Sequence, residues 1–332
     1  MTTEDRYSSQ KSIIEKFERE IVQYLSQEIR QIVSLIDKER LNSLEEIRLR
    51  AYKPIMLLNS QGDWFIDKNG NMVRKGGNLC ISSQEDIIRT LGLMSENSIY
   101  AYQDEIRNGF ITLKGGHRVG IAGKVVLDDD GVKNIKDISG LNIRISREVS
   151  GCSAGIIKYI ISRNEVLNTL IISPPQCGKT TLLRDMARVI SDGMDHIDFK
   201  GLKVGIVDER SEIAACYRGV AQNNVGIRTD ILDGCPKSIG MALMIRAMSP
   251  QVIVTDEIGN QGDRDAVMSV LNAGVKIITT AHGYNISELQ SRKEVLCLIE
   301  QRVFERYIVL DSSNGPGTVK EIIDGRTMGK MY

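Results

Sequence analysis

The stretch IISPPQCGKTTLLRD, Ile171 to Asp185, reads as a short apolar strand, a loop and the start of a helix. A helix start leaves backbone N–H groups unpaired and presents the positive end of the helix dipole, so it is a natural seat for phosphate. Gly178, Lys179 and Thr180 close an eight-position loop that begins at Ser173. In a strand–loop–helix frame this is the pattern of a nucleotide-binding phosphate loop. Lys179 can reach the β- and γ-phosphates as a mobile point charge, and Thr180 can ligate Mg²⁺ through its hydroxyl. Pro174, Pro175, Gln176 and Cys177 complete the loop, and Thr181 follows in the helix. All are expected to line the nucleotide. A side chain at Gly178 would crowd the phosphates. Ser173 stands where such loops usually carry their first glycine. It lies at the strand end, farthest from the γ-phosphate, and is tolerated there if its φ is negative. The two prolines stiffen the turn that follows.

Three further apolar runs share the same shape: KVGIVDERSE, QVIVTDEIG and VKIITTAHG. Helical segments lie between them, KTTLLRDMARVIS and GDRDAVMSVLNAG included. Strands alternating with helices imply an α/β unit, a mostly parallel sheet with helices on both faces. Ligands collect at the carboxyl ends of such strands. The first run ends in Asp208, Glu209, Arg210 and Glu212. The second ends in Asp256 and Glu257. Adjacent carboxylates repel unless a cation is near. Asp256 can hold Mg²⁺ through its water shell, and Glu257 can orient or deprotonate an attacking water. Alone, two acids in a turn mean little. Downstream of a phosphate loop they point to triphosphate hydrolysis. His282 ends the last run, where a neutral imidazole can hydrogen-bond the γ-phosphate or its water.

The first 148 residues read differently. Ser12 to Ile36 forms an amphipathic helix, with Ile14, Phe17, Ile21, Leu25, Ile29, Ile32 and Ile36 at helical spacing. It is expected to pack on its own domain. EIRLRAYKPIMLLN and DWFID alternate like strands, SSQEDIIRTLGLMS is a capped helix, and GFITLKGGHRVGIAGKVVLDDDG and LNIRIS are further strands. The expectation is an α+β domain over 1–148, a small-residue boundary at REVSGCSAG, and a second domain over 149–332.

Composition narrows the class. Hydrophobic residues make up 42% and charged residues 26% of 332, ordinary for a globular protein. Lys plus Arg and Asp plus Glu both total 43, so the net charge is zero. With few aromatics for base stacking, no nucleic-acid partner is expected. Six scattered cysteines without a CxxC pair, and three histidines, argue against a disulfide framework or a zinc site and fit a reducing cytosol. The polar N-terminus is not a secretory signal.

The series SPPQCGKTT, VDERSE, RAMSPQVIVTDEIG and IITTAHG resembles, in order, the four boxes of type II and type IV secretion ATPases and pilus motors. LEEIRLRAYKPIMLLNSQGDWF, GGHRVGIAG and LNIRIS resemble strands of their N-terminal domain. The strings SIYAYQDEIRNGFITLKGGHRVGIAGK, PPQCGKTTLLRD, VDERSEIA, GIRTDILDGCPK and MSPQVIVTDEIG are similar to the stage III sporulation protein AA family throughout. The resemblance implies a RecA-like P-loop ATPase domain preceded by a smaller α+β domain, with ATP and Mg²⁺ as ligands. It implies Lys179 and the loop on phosphate, Thr180 and Asp256 on Mg²⁺, Glu257 on water with Glu209 assisting, and His282 as γ-phosphate sensor. It further implies a homo-oligomeric, hexameric ring in which Arg118 and Arg144 face the nucleotide, with Arg210, Arg228 and Arg246 as further candidates. The implied setting is the mother-cell cytoplasm of a sporulating bacterium, peripheral at the inner face of the engulfing membrane. There the protein would energise or assemble the channel to the forespore, docked on its membrane proteins. Secretion ATPases generally have Gly before the Glu of the second acidic strand; here Asp256 stands there. Mg²⁺ could then be held mainly by Asp256 or by the box around Glu209. A nucleotide-gated scaffold with little hydrolysis and a nucleic-acid motor are the alternatives.

Overall fold

The computed structural model describes residues 15–98, 102–129, 131–162 and 164–332. They fall into two compact units, 1–147 and 148–332.

The first unit is built on an antiparallel sheet of seven strands. Its spatial order is Met72–Val73, Gly62–Ile66, Met56–Asn59, Leu44–Arg50, Gly131–Arg144, Arg118–Asp128 and Phe110–Thr112. The helix Gln84–Met94 starts at a capping box, in which Ser83 and Asp86 each satisfy the other's backbone N–H. Its Ile87, Leu91 and Met94 join Ile47, Leu49, Val119 and Ile143 of the sheet in one core.

The leading helix differs from the expectation. Residues 15–20 are helical, Val22–Tyr24 is one 3₁₀ turn, and a new helix runs over Gln27–Ser34. Ser12 to Ile14 lie outside the described residues. The backbone leaves the helix at Ile21, whose φ is −130°, and turns extended at Leu25, whose ψ is 150°. Ser26 holds the second departure. Its backbone N–H donates to Thr90 Oγ1 at 3.0 Å and its hydroxyl to Asp86 Oδ1 at 2.7 Å, and that hydroxyl also accepts from the Ile29 N–H. A serine whose hydrogen bonds are taken by a distant helix cannot also sit inside a continuous one. Phe17, Ile21, Leu25, Ile29 and Ile36 are still buried against the unit's own core, and Val33 takes the place expected of Ile32.

The second unit is a seven-stranded sheet with helices on both faces. The order is Thr229–Asp233, Val204–Asp208, Val252–Thr255, Lys276–His282, Thr169–Ser173, Arg306–Asp311 and Thr318–Asp324. The first six are parallel and the last pairs antiparallel with its predecessor. Alternate side chains serve alternate faces. Ile171, Ile206, Val254 and Ile278 pack on Leu182, Leu183, Met186 and Ile190 of the helix Lys179–Asp192. Leu170, Ile172, Val207, Ile253 and Ile277 pack on the helices Lys237–Met248, Gln261–Asn272 and Lys293–Glu300. Strands buried on both faces explain why their sequences are apolar runs with no alternation.

Asp185, on the phosphate-loop helix, anchors the start of this unit. Its carboxylate accepts from the N–H groups of Gly151 and Ser153, the Ser153 hydroxyl and the Arg188 guanidinium, at 2.7 to 3.0 Å. Burial pushes its pKa up, but these hydrogen bonds outweigh burial and hold it down to about 2. Asp185→Ala is expected to cost roughly 3 kcal/mol in urea unfolding at neutral pH, because it strands buried donors. A depressed carboxylate stabilises the fold above its unfolded pKa, near 3.8, and that stabilisation fades as the pH falls toward 2. The gap between wild type and variant should narrow over that window. An Asp185→Ala protein as stable as wild type would contradict the anchoring role.

Candidate functional site

Four neighbouring parallel strands, Val204–Asp208, Val252–Thr255, Lys276–His282 and Thr169–Ser173, end on one edge of the sheet. Register aligns their ends: Val207 pairs with Thr255, and Ser173 with His282. The polar residues at the four carboxyl ends therefore share one edge.

Ser173 is fully buried in extended strand, its hydroxyl donating to the Pro174 carbonyl at 2.8 Å. It is not among the residues with positive φ, so the freedom of a glycine is not needed there. The loop's left-handed positions are Gln176, at φ +61°, and Gly178, at φ +79°. Gly178 caps the helix Lys179–Asp192. A Cβ on it would lie 3.0 Å from Gly317 N and 3.3 Å from Gly317 Cα. The turn of the C-terminal hairpin thus rests on the phosphate loop, and the Gly317 N–H donates to the Cys177 carbonyl at 2.9 Å. The crowding at Gly178 includes backbone of this chain. Gly178→Ala is expected to cost roughly 1–2 kcal/mol from the left-handed φ alone, read as a lower melting temperature. An unchanged melting temperature would mean that the loop relaxes freely.

Lys179, Glu257 and His282 come together. The buried Lys179 Nζ donates to Glu257 Oε1 at 3.0 Å and lies 3.2 Å from His282 Nε2. His282 Nε2 lies 2.6 Å from the same Glu257 oxygen, and Arg210 Nη1 is 4.0 Å from the other. Burial pushes the Glu257 carboxyl up; the Lys179 hydrogen bond and charge, with His282 and Arg210, win and lower it. Glu257 is therefore ionised at neutral pH.

The backbone of Glu257 has φ +25°, outside the region most residues prefer. Such a conformation costs about 1–3 kcal/mol and persists only when the surroundings hold it. Thr280 does so. Its hydroxyl accepts from the Glu257 N–H at 2.9 Å and its carbonyl from the Ile258 N–H at 3.0 Å. Thr280 was not among the residues expected at the site. The signal was a threonine pair inside an otherwise apolar strand, IITTAH.

The first acidic box divides its work. Asp208 is fully buried and accepts from the N–H groups of Glu212, Ile213 and Ala214 at 2.8 to 2.9 Å. It shapes the loop. Desolvation raises its pKa despite these bonds. Glu209 instead pairs with the Lys237 ammonium. The same Nζ is 3.9 Å from Asp256 Oδ1. Lys237 is buried and opens the helix Lys237–Met248 directly after Pro236. A cation in the first turn opposes the helix dipole unless acids face it. That misplacement was the sequence signal, in DGCPK, for a lysine that faces acids and that the motifs do not name.

Asp256 is 4% exposed, and its Oδ1 has no hydrogen-bond partner. Desolvation pushes its pKa up to about 6; Lys237 lowers it, and Asp208, Glu212 and Glu257 raise it further. A buried, orphaned carboxylate oxygen beside a phosphate loop suits a hard cation. Mg²⁺ takes one or two protein carboxylates and fills its remaining positions with phosphate oxygens and water. Among the described residues no group of three or more His, Cys, Asp or Glu side chains could hold a metal. Thr180, beside Lys179 at the helix start, is the residue that would supply a hydroxyl. The residues fit Mg²⁺ held together with a nucleotide.

The arginines fall in different places. Arg228 Nη1 donates to the carbonyls of Ser191 and Asp192, at 2.7 and 3.1 Å, and so caps the far end of the phosphate-loop helix, away from the phosphate end. Arg246 is exposed on the last turn of Lys237–Met248. Arg118 and Arg144 are register partners on adjacent strands of the first unit. The Arg118 guanidinium lies 3.7 Å from the centre of the Phe110 ring, and Arg144 Nε is 3.6 Å from Glu46. Among the described residues, no helix is long and apolar enough to cross a membrane.

Comparison with known proteins agrees with this architecture. The ATPase DotB of Yersinia pseudotuberculosis superimposes with a TM-score of 0.56 over 91% of this chain and 80% of its own, at 13% identity. The pilus retraction motor PilT, solved with bound ADP, gives 0.51 over 82% and 76%, at 12% identity. At these identities the likeness is one of fold, the RecA-like α/β architecture. Stage III sporulation protein AA of Bacillus subtilis (strain 168) is 42% identical over 305 residues, 92% of this chain and 94% of that one. The family profile described as "Sporulation stage III, protein AA" matches residues 15–329. The chain belongs to the sporulation stage III protein AA family.

Proposed function

We propose that the chain is a Mg²⁺-dependent ATPase of the secretion-ATPase type, composed of an N-terminal α+β domain and a RecA-like domain, that energises or assembles the channel between mother cell and forespore. The observation that carries the reading is the meeting of Lys179, Glu257 and His282, delivered from one helix start and two strand ends to within 3.4 Å of one another. These are a phosphate-binding cation, a carboxylate base and a polar sensor.

Lys179 and the N–H groups of the loop hold the β- and γ-phosphates. Mg²⁺, held by Thr180 and Asp256, would neutralise charge building on the phosphate oxygens. Lys179 exchanges its bond to Glu257 for one to the γ-phosphate. That exchange releases Glu257, the group with the lowered pKa, to orient and deprotonate water for in-line attack. His282 is left beside Glu257 to report on the γ-phosphate. Glu209 assists through Lys237. Arg210, beside Glu257, is the arginine candidate of this unit. Arg118 and Arg144 act in trans in a homo-oligomeric, hexameric ring, which docks peripherally on membrane proteins at the cytoplasmic face of the mother cell.

The scaffold alternative drew its support from Ser173, whose extended backbone needs no glycine. The zero net charge gives a nucleic-acid motor no support. The test is ATP binding by calorimetry with and without Mg²⁺, together with turnover at several protein concentrations. Mg²⁺-dependent binding and turnover rising more than linearly with protein are expected. Binding with no turnover at any concentration would favour the scaffold.

A further inference from the structure

Two lysines face the acids of this site, and only Lys179 belongs to the phosphate loop. Lys237 is 8% exposed and pairs closely with Glu209. Its Nζ also lies 3.9 Å from Asp256 Oδ1, beyond hydrogen-bond reach but well inside Coulomb range. That oxygen is the buried atom left without a partner. The chain thus carries a fixed positive charge beside the carboxylate best suited to a divalent cation. Mg²⁺ binding at Asp256 must overcome repulsion from this ammonium. Phosphate oxygens would supply the negative charge that tips the balance.

We propose that Lys237 is a tethered counter-cation that offsets part of the negative charge of Glu209 and Asp256 before nucleotide binds, so that the site takes up a divalent cation together with the nucleotide and not ahead of it. This inference rests on Asp256 being the metal-binding carboxylate of the proposed function. Lys237 is then a positioning residue: it sets the order and affinity of metal uptake and does not touch the reacting atoms. Its place at the first turn of a helix supports the role. The helix start sets the Lys237 backbone, from which the ammonium reaches both acids, and Pro236 before it sets the entry of the chain.

The test titrates nucleotide-free full-length protein with Mn²⁺, a probe for Mg²⁺, following the signal of free Mn²⁺ by electron paramagnetic resonance. Wild type should bind Mn²⁺ weakly. Lys237→Met keeps the apolar stem and removes the charge, and should tighten Mn²⁺ binding by roughly tenfold, as expected for one unit charge at this range. Lys237→Arg should behave like wild type. Asp256→Asn added to Lys237→Met should abolish the gain and so place it at this carboxylate. Lys237→Gln keeps a hydrogen-bond donor for Glu209 and serves if the methionine variant does not fold. A folded, charge-free variant with no gain, or wild type binding as tightly as that variant, would overturn the proposal. No nucleotide and no turnover enter the measurement. An inactive wild-type chain would contradict the proposed ATPase and leave the Mn²⁺ result standing.

Discussion

Glu257→Gln should slow ATP turnover by at least about a hundredfold, the ordinary contribution of a positioned general base, and should bind ATP more tightly than wild type. The two effects have one cause. On the proposed reading Glu257 is the base, and in the wild-type chain it also holds Lys179, at 3.0 Å. Glutamine keeps the shape and loses the charge. It cannot take a proton from water, so hydrolysis falls. It also grips the Lys179 ammonium less firmly, so the lysine is freer to meet phosphate. The strained backbone at this residue, with φ +25°, should be unaffected, because Thr280 holds it through main-chain groups that the substitution leaves in place. Filter binding of labelled ATP, set beside phosphate release, reads both effects. Tighter binding with lost turnover is the expected pair. Weaker binding would mean that the Lys179–Glu257 contact does not compete with phosphate.

Lys179→Ala is the second large effect. It removes the one cation of the phosphate loop, at the start of the helix Lys179–Asp192. Truncating one member of a buried, hydrogen-bonded charge pair costs about 2–5 kcal/mol in binding, or roughly 30-fold to several thousandfold in affinity. The loop N–H groups and the helix start remain, so the fold should survive. ATP affinity should fall by at least about thirtyfold, and turnover should be undetectable. Circular dichroism would report the retained fold, and fluorescent-nucleotide titration the lost affinity. Wild-type affinity in a folded Lys179→Ala protein would remove the phosphate loop from the account.

The RecA-like unit was legible because its central strands are apolar runs that each stop at a polar group. A two-faced burial requires the run, and a ligand edge requires the stop. The edge strand Thr229–Asp233 was missed for the same reason in reverse: at the sheet margin none of its residues is fully buried, so TDILD carries no apolar run. The hairpin of Arg306–Asp311 and Thr318–Asp324 lies beyond the last motif, and no local signal tells that its turn rests on Gly178. The long leading helix failed at Ser26, whose partners Asp86 and Thr90 lie about sixty residues away. Helical periodicity cannot see such bonds. Lys179, Asp256, Glu257 and His282 were named from a phosphate-loop motif, from their places after apolar runs and from the resemblance to the secretion-ATPase boxes. Lys237 and Thr280 were not, because each meets the site's residues from a place that no motif marks. Lys237 faces Glu209 and Asp256 from the start of a helix, and Thr280 clamps a main-chain turn.

The central claim is that the ion-paired cluster of Lys179, Glu257 and His282 is a hydrolytic site. It is tested most directly by steady-state phosphate release from Mg-ATP, wild type beside Glu257→Gln, at nucleotide concentrations that saturate both. The account predicts turnover in the wild type that is lost in the variant, with ATP still bound. Equal turnover in the two proteins would contradict it, since the activity would then arise elsewhere.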